Sequence, residues 1–111
     1  PLHRPPRPND ARPNEIPMPT HNTYFDGKVQ SVAFTRNGRK TSVGVIAEGQ
    51  YHFGTDAAER MTVVSGRLDA RLDGTQDWVA YPAGTAFEIP AKSGFDVRAV
   101  GGDAAYCCEY L

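Results

Sequence analysis

Glu59 is the charged residue whose setting in this sequence most suggests chemistry, because two aromatic residues spaced as on one strand face precede it. Tyr51 and Phe53 are two positions apart, so on a β-strand both side chains point to the same side. Aromatic faces can stack a flat ring such as a nucleobase, and a nearby carboxylate can accept hydrogen bonds from sugar hydroxyls. His52 would point to the opposite face, as a surface histidine does. The residues alone leave two interpretations open, a ligand pocket or ordinary core packing with Glu59 on a surface turn.

The elements that must position these residues are short strands. From residue 24 onward, runs of β-forming residues alternate with turn residues, which is typical of a sandwich or barrel. Asn37-Gly38 predicts a type I′ hairpin turn, because both central residues of that turn need a positive φ. The sequence therefore predicts an all-β double-sheet barrel in a single domain. Its nine predicted strands are residues 24–34, 41–48, 51–55, 61–65, 68–72, 78–81, 86–89, 95–100 and 105–110.

Residues 67–73 alternate cleanly between charged and apolar side chains. On a strand with one buried face, the apolar side chains point to the core and the others to water. The charged residues are therefore predicted to form a solvated face, which consists of Arg67, Asp69, Arg71 and Asp73.

The spacing around Glu59 resembles the first metal-binding motif of the cupins, and residues 82–87 resemble the second. At the positions where cupins carry ligand histidines stand Tyr51, Phe53 and Phe87 instead, so only Glu59 could still bind a metal. One carboxylate without imidazole partners is a poor site for zinc or iron, so no metal is expected. The resemblance implies a cupin-type, jelly-roll-like barrel whose mouth is lined by these aromatic residues, Met61 and Glu59.

A closer resemblance covers nearly the whole chain from residue 22 to residue 111. The sequence is similar to the small cupins of the pyrimidine/purine nucleoside phosphorylase family. This resemblance implies phosphorolysis of several nucleosides to the free base and ribose 1-phosphate, with inorganic phosphate as co-substrate and no other cofactor. It is carried by the stretches NTYFDGKVQSVAF, TSVGVIAEGQYHF, ERMTVVSGRL, DWVAYPAGTAFEIP and YCCEYL.

Phosphorolysis needs groups that hold the phosphate in line with the sugar, groups that accept hydrogen bonds from the ribose, and a donor for the leaving base. For phosphate the sequence offers Lys28, Arg60 and Ser42, although Lys28 is equally well explained as a solvated lysine and Arg60 would face outward. Gly44 would let a ligand approach the backbone. The catalytic candidates are Glu59 and Lys28, and the substrate-binding candidates are Tyr24, Ser42, Gly44, Tyr51, Phe53, Thr55, Met61 and Phe87.

Composition sets broad limits on the remaining possibilities. A chain of 111 residues with a net charge of −1 and a pI near 6.3 suits one domain, and has no basic field for nucleic acid. Residues 1–20 hold seven of the nine prolines and predict an extended arm outside a core domain of residues 21–111. No apolar run is long enough to cross a membrane, and the expected location is the cytoplasm.

Cys107 and Cys108 are adjacent in sequence, which favours one buried and one partly exposed thiol over a redox pair.

Three functions remain to be compared: a nucleoside phosphorylase, a cupin that binds a nucleoside-like or sugar-like ligand without turning it over, and a metal-dependent cupin enzyme. The partners expected are nucleosides and phosphate, with no nucleic acid and no membrane. A homodimer is also expected, because small barrels commonly cover exposed edge strands with a second copy of themselves.

Overall fold

The computed structural model describes residues 18–111, and this part of the chain forms ten β-strands and contains no helix that could cross a membrane. A six-stranded antiparallel sheet has the order β1-β2-β3-β10-β5-β8, and a four-stranded sheet has the order β4-β9-β6-β7. The all-β double-sheet fold was predicted and is confirmed. The strands are β1 (Thr20–Tyr24), β2 (Val29–Arg36), β3 (Arg39–Ile46), β4 (Gly49–Gly54), β5 (Glu59–Ser65), β6 (Arg67–Leu72), β7 (Val79–Pro82), β8 (Ala86–Ile89), β9 (Gly94–Ala99) and β10 (Ala104–Tyr110).

The core lies between the inner faces of the two sheets. Successive side chains of a strand point to opposite faces of its sheet, so every second side chain points into the core. The six largest side chains that are almost fully buried come from both sheets. Between the sheets, the Phe87 ring packs against the rings of Tyr81 and Phe95. The six buried side chains are Val29, Ile46, Val63, Leu68, Ile89 and Val97.

The prediction of one continuous strand over residues 24–34 was wrong. Tyr24 ends β1, the chain reverses, and β2 begins only at Val29. Phe25, Asp26 and Gly27 all have positive φ values, of 53°, 55° and 86°, which a continuous strand does not allow. The β-forming aromatic residues at the start of this run conceal a turn that the Asp-Gly pair marks.

The hairpin between β2 and β3 is confirmed. Asn37 and Gly38 have φ values of 53° and 73°, as a type I′ turn requires, and Arg36 pairs with Arg39 across it. The other predicted strands lie within two residues of those observed. Of the predicted arm, residues 1–17 lie outside the described residues, and Thr20 already belongs to β1.

The charged residues of β6 do not form the uniformly solvated face that was predicted. The side chain of Asp69 is only 5% exposed, because the guanidinium groups of Arg67 and Arg98 cover it. Arg71 pairs in turn with Asp96, and the Trp78 ring packs against both Arg71 and Arg98. The outer face of the four-stranded sheet is therefore a network of ion pairs in which Asp69 contacts two arginines and Asp96 contacts one.

Candidate functional site

A cavity of about 180 Å³ lies between the two sheets. Most of its wall comes from inward-facing residues of the six-stranded sheet, and Phe53, Gly54 and Phe95 close it from the four-stranded sheet. Polar and apolar groups are thus brought together in one space. The lining residues are Tyr24, Ser31, Ser42, Ile46, Phe53, Gly54, Glu59, Met61, Phe95, Tyr106, Cys108 and Tyr110.

Glu59 is the one carboxylate in this wall. It is the first residue of β5 and lies opposite Tyr110 of β10, so the strand pairing fixes its position at the cavity. The Cys108 thiol donates a hydrogen bond of 3.3 Å to Glu59 Oε1. Burial raises the pKa of Glu59, and the hydrogen bond from Cys108 and the positive charge of Lys40 oppose that rise only in part. Glu59 is therefore a partly desolvated acceptor with no cation in direct contact within the described residues.

Tyr106, Tyr110 and Cys108 of the wall remain neutral at physiological pH because their pKa values are raised. Burial raises the pKa of Tyr106 to about 12, although a hydrogen bond with Ser31 acts in the opposite direction. Burial also raises the pKa of Tyr110, and the Glu59 charge adds to that effect. The Cys108 pKa is raised far above its ordinary value by burial and by the same carboxylate. Neutral phenols and a neutral thiol can donate hydrogen bonds, but this thiol is not poised as a nucleophile.

Aromatic rings form the apolar part of the cavity. Phe53 meets Phe95 in a stacked arrangement with ring centroids 5.9 Å apart, and Tyr24 lies edge-on to Phe53 at the same distance. The Tyr24 side chain is 43% exposed, so it stands at the mouth and not in the core. Together these rings form the apolar part of the wall that also contains Glu59.

Five of the ten residues predicted for the site line this cavity: Tyr24, Ser42, Phe53, Glu59 and Met61.

Three other predicted residues are buried close by but serve the fold. The Tyr51 hydroxyl donates to the Ala47 carbonyl at 2.9 Å. Thr55 Oγ1 donates to the Pro90 carbonyl at 2.7 Å and accepts from the backbone N–H of Ser93. Phe87 stacks on Tyr81 with centroids 4.5 Å apart. None of the three lines the cavity, because their side chains are already used in packing and turn bonds.

The placements predicted for Lys28 and Gly44 differ from the structure. Lys28 does not lie in a strand but ends the exposed turn after β1, and it lines no cavity. Gly44 is buried, and a Cβ atom there would lie 2.6 Å from the Tyr106 hydroxyl and 2.5 Å from the Gln30 carbonyl oxygen. The missing side chain at Gly44 therefore makes room for the Tyr106 ring, not for a ligand.

The family model for pyrimidine/purine nucleoside phosphorylase matches residues 19–110, which is nearly every described residue. The chain belongs to the pyrimidine/purine nucleoside phosphorylase family. A curated relative of that name from Sorangium cellulosum is 61% identical over 94 residues, which cover 85% of this chain and all of the relative. A similar match to a protein of the same name from Vibrio vulnificus is 50% identical over 94 residues.

Solved structures agree with the fold of this family member. A Vibrio parahaemolyticus protein described as of unknown function superimposes with a TM-score of 0.82 at 42% identity, covering 85% of this chain and 99% of that one. A structure of FeII HppE superimposes with a TM-score of 0.73 at 14% identity, covering 96% of this chain and 65% of HppE. That second likeness concerns the fold alone, and it agrees with the cupin-type barrel predicted from sequence.

This chain does not have the metal-ligand residues of a metal-dependent cupin at the matching positions. Tyr51, Phe53 and Phe87 offer no nitrogen or carboxylate ligand there, and only Glu59 remains. Within residues 18–111, His, Cys, Asp and Glu side chains form no group of three or more that could hold a metal ion. The residues present therefore do not fit a transition metal at this position.

Sequence reasoning missed over half of the cavity wall. The period-two alternation of β10 places Tyr106, Cys108 and Tyr110 on one face, and this signal was available in the YCCEYL stretch. Ser31 was hidden because the run that contains it was read as one strand with residue 24. The remaining missed residues are Ile46, Gly54 and Phe95, which look like ordinary strand residues.

Proposed function

We propose that this protein is a broad-specificity nucleoside phosphorylase, which converts a purine or pyrimidine nucleoside and phosphate to the free base and ribose 1-phosphate. The observation that carries the proposal is the juxtaposition of Glu59 with the rings of Phe53 and Phe95 in one cavity. A carboxylate suits the neighbouring hydroxyls of a ribose, and the rings suit the face of a base. Family membership supports the same reaction.

The reaction needs no group beyond its two substrates. An oxygen of HPO₄²⁻ forms a bond to the anomeric carbon as the bond from that carbon to the base nitrogen breaks. The electron pair of the broken bond leaves with the base, and the proton carried by the phosphate ends on that base. The transition state has oxocarbenium character, so the protein contributes by orienting the reactants and by stabilising positive charge on the sugar.

Glu59 has two tasks in this scheme. Its carboxylate accepts hydrogen bonds from the ribose hydroxyls, and its negative charge stabilises the sugar as positive charge develops. The Cys108 thiol, which donates to Oε1, leaves the second carboxylate oxygen available for the ribose. We assign the base to the region of Phe53, Met61 and Phe95, where the neutral Tyr106 phenol is a donor within the same wall.

Broad specificity follows from what the cavity wall lacks. Discrimination between bases requires paired donors and acceptors aimed at the base edge, as amide or imidazole groups provide. The wall contains no Asn, Gln, His or Arg among the described residues, and its aromatic and apolar groups contact a base by its faces. Stacking accepts any base because every base has a π-face.

The proposal includes a reaction without a metal, which was expected from the aromatic residues at the ligand positions. Elemental analysis of the purified protein tests this part. The expected result is transition metal far below one equivalent per chain, with activity that survives a chelator. A stoichiometric metal whose removal abolishes turnover would favour a metal-dependent cupin enzyme instead.

The central experiment incubates the protein with uridine and with inosine, with and without inorganic phosphate, and separates the products by chromatography. We expect uracil and hypoxanthine only when phosphate is present, each with an equal amount of ribose 1-phosphate. Base release that is independent of phosphate would indicate hydrolysis and contradict the proposal. Thermal stabilisation by nucleosides without any product would identify a binding module.

We also propose that the protein is a homodimer that pairs through the outer face of its six-stranded sheet. Val32, Val43 and Val45 are 41%, 43% and 48% exposed there, and Val32 and Cys107 are the cross-strand neighbours of Val43. An exposed apolar sheet face of this kind is well suited to contact with a second copy of the chain.

The two free thiols support a cytoplasmic location, which we propose as well.

Light scattering after size exclusion tests the dimer. The wild type should have twice the mass of one chain, and Val43→Asp should be a monomer because the charge would be buried in the interface. Val79→Asp is the matched control, since Val79 is 48% exposed on the other sheet and should leave the dimer intact. A monomeric wild type at micromolar concentration, or a dimeric Val43→Asp protein, would contradict this proposal.

A further inference from the structure

A second cavity, of about 240 Å³, adjoins the nucleoside cavity and differs from it in chemistry. The two share Tyr24, Ser31, Ser42 and Tyr110 as a common wall. Beyond that wall, the first cavity has aromatic rings and Glu59, whereas the second has an ammonium group and small polar side chains. The residues that line only the second cavity are Thr20, Asn22, Ala33, Lys40 and Thr41.

Lys40 gives the second cavity its charge. Its Nζ atom lies 5.0 Å from the centre of the Tyr110 ring, so the ring of the shared wall holds the ammonium group at the boundary of the two cavities. None of the ion pairs formed within residues 18–111 uses Lys40. The ammonium is also close enough to Glu59 to lower the carboxyl pKa against the larger effect of burial. Lys40 is thus a cation at the second cavity that forms no ion pair with a carboxylate of residues 18–111.

Hydroxyl and amide groups line the same cavity as Lys40, on strands whose register places them on one sheet face. Thr20, Asn22 and Tyr24 are alternate residues of β1, and Asn22 pairs with Ser31 while Thr20 pairs with Ala33. Ala33 pairs in turn with Ser42. Strand pairing therefore sets the hydroxyls of Ser31 and Ser42 and the amide of Asn22 on one face, where each can donate a hydrogen bond to an anion.

We propose that the cavity around Lys40 is the phosphate subsite, with Lys40 as the charged contact and Ser31, Ser42 and Asn22 as hydrogen-bond donors. This assignment rests on the proposed function for its biological meaning. One tetrahedral oxyanion matches the set, because its oxygens accept from an ammonium and from several short polar side chains at once.

The arrangement also satisfies the geometry of the reaction. Attack on the anomeric carbon requires phosphate and base on opposite sides of the sugar. Phe53, Phe95 and Glu59 line the first cavity and Lys40 lines the second, and the two cavities meet at Tyr24, Ser31, Ser42 and Tyr110, which line both. A base stacked near Phe53 and Phe95 would hold its ribose beside Glu59 and direct the anomeric carbon towards the Lys40 cavity.

The two cations considered from sequence are less suitable than Lys40. Lys28 is exposed at the end of a turn and lines neither cavity. Arg60 lines neither cavity, and its Nε and Nη2 atoms both donate to Glu88 Oε2, at 3.1 and 2.9 Å. Neither could place phosphate against a ribose that Glu59 holds.

Steady-state kinetics with phosphate and nucleoside varied separately tests the proposal. In Lys40→Met, the KM for phosphate should rise by at least about tenfold, because a charge-assisted contact is lost, while the KM for uridine changes by less than about twofold. Lys40→Arg keeps the charge and should recover much of the phosphate affinity. Lys28→Met removes an exposed lysine outside both cavities and should match the wild type.

An unchanged phosphate KM in Lys40→Met would overturn the subsite even if phosphorolysis itself is observed. Should the wild type catalyse no phosphorolysis, the proposed function fails, and calorimetric titration with inorganic phosphate then decides on the subsite separately. Binding by the wild type and by Lys28→Met that is lost in Lys40→Met would support it. Binding that is equal in all three proteins, or absent from the wild type, would overturn it.

Discussion

Two carboxylates, one on each sheet, have opposite environments. Asp69 lies on the outer face of the four-stranded sheet, where the guanidinium groups of Arg67 and Arg98 both contact it, at 2.9 and 3.1 Å. Glu59 lies on the inner face of the six-stranded sheet and receives a hydrogen bond from a thiol, with no cation in contact among the described residues. Burial alone would raise the pKa of Asp69, but its two arginines lower it, whereas the pKa of Glu59 is raised.

The difference separates stability from function. A buried carboxylate whose oxygens are occupied by arginines holds elements together, and here Asp69 links β6 to β9 through Arg98. A partly desolvated carboxylate without a cation costs stability and is retained where a ligand completes its hydrogen bonds. Glu59 fits the second description, since it borders a cavity of the right size and chemistry for a ribose. Substitutions at the two positions should therefore have opposite consequences.

The largest expected effect is on activity. Glu59→Gln preserves size and can still accept the hydrogen bond from Cys108, but it removes the charge that stabilises the sugar in the transition state. We expect kcat/KM for uridine phosphorolysis to fall by about a hundredfold or more, measured by the absorbance change on base release. Glu88→Gln, on the outer side of β8, is the control and should retain wild-type rates. An equal loss of kcat/KM in both variants would show that Glu59 has no specific role in the site.

The next effect is on stability. Asp69→Asn keeps the size of the buried side chain but removes the charge that the partly exposed Arg67 and Arg98 contact, and we expect the free energy of unfolding to fall by about 1–3 kcal/mol. Denaturation with urea measures this change, and the activity per folded molecule should stay within about twofold of the wild type. An active-site role for Asp69 would be indicated by lost activity at unchanged stability.

The smallest effect concerns pH, and its sign differs between the two carboxylates. Because the pKa of Glu59 is raised in the folded protein, this residue favours the folded state below the ordinary carboxyl pKa of 4.5. That contribution to stability is lost as the pH rises through the pKa of Glu59 in the folded protein. Glu59→Gln should therefore be at least as stable as the wild type at neutral pH, and this advantage should vanish on acidification. The groups that face Glu59 are Lys40, Tyr106, Cys108 and Tyr110. The pKa values of Tyr106, Cys108 and Tyr110 are raised, so these three groups do not titrate between pH 4 and 7.

Asp69→Asn should show the reverse trend. A lowered pKa contributes stability above the ordinary value of 3.8, which is lost as pH falls through the folded value. The variant should be less stable than the wild type at neutral pH and should approach it in acid. Melting temperatures of both variants and the wild type from pH 3 to pH 7.5 test the pair. A difference of the same sign in both variants would contradict the distinction between the two carboxylates.

The sequence predicted the barrel and part of its site because these depend on local pattern. Strand alternation and the Asn37-Gly38 turn are local signals. The assignment of Phe53 and Glu59 to one cavity wall came instead from the cupin resemblance, and both residues line the cavity. The burial of Asp69 was missed because alternation shows which face a side chain takes but not whether arginines of neighbouring residues cover it. The turn after Tyr24 was missed because β-forming side chains concealed a positive φ at Phe25.

No local sequence pattern indicates that Lys40 lies beside the cavities. In the sequence it is one of several basic residues near a hairpin, with nothing to separate it from Arg36 or Arg39. It belongs to the site only because β10 pairs with β3 and brings Tyr110 beneath its ammonium group. Pairing between strands about 60 residues apart decides this contact, and such pairing is visible only once the sheet has formed.

Phosphorus NMR of the reaction with uridine tests the central claim most directly, because it observes the new bond between phosphate and ribose. Wild-type protein should convert the inorganic phosphate signal to that of ribose 1-phosphate in step with uracil release, as should Asp69→Asn at an equal concentration of folded protein. Glu59→Gln, folded and at least as stable, should form almost none in the same time. Ribose 1-phosphate formed at the same rate by Glu59→Gln, or by no protein at all, would contradict the account.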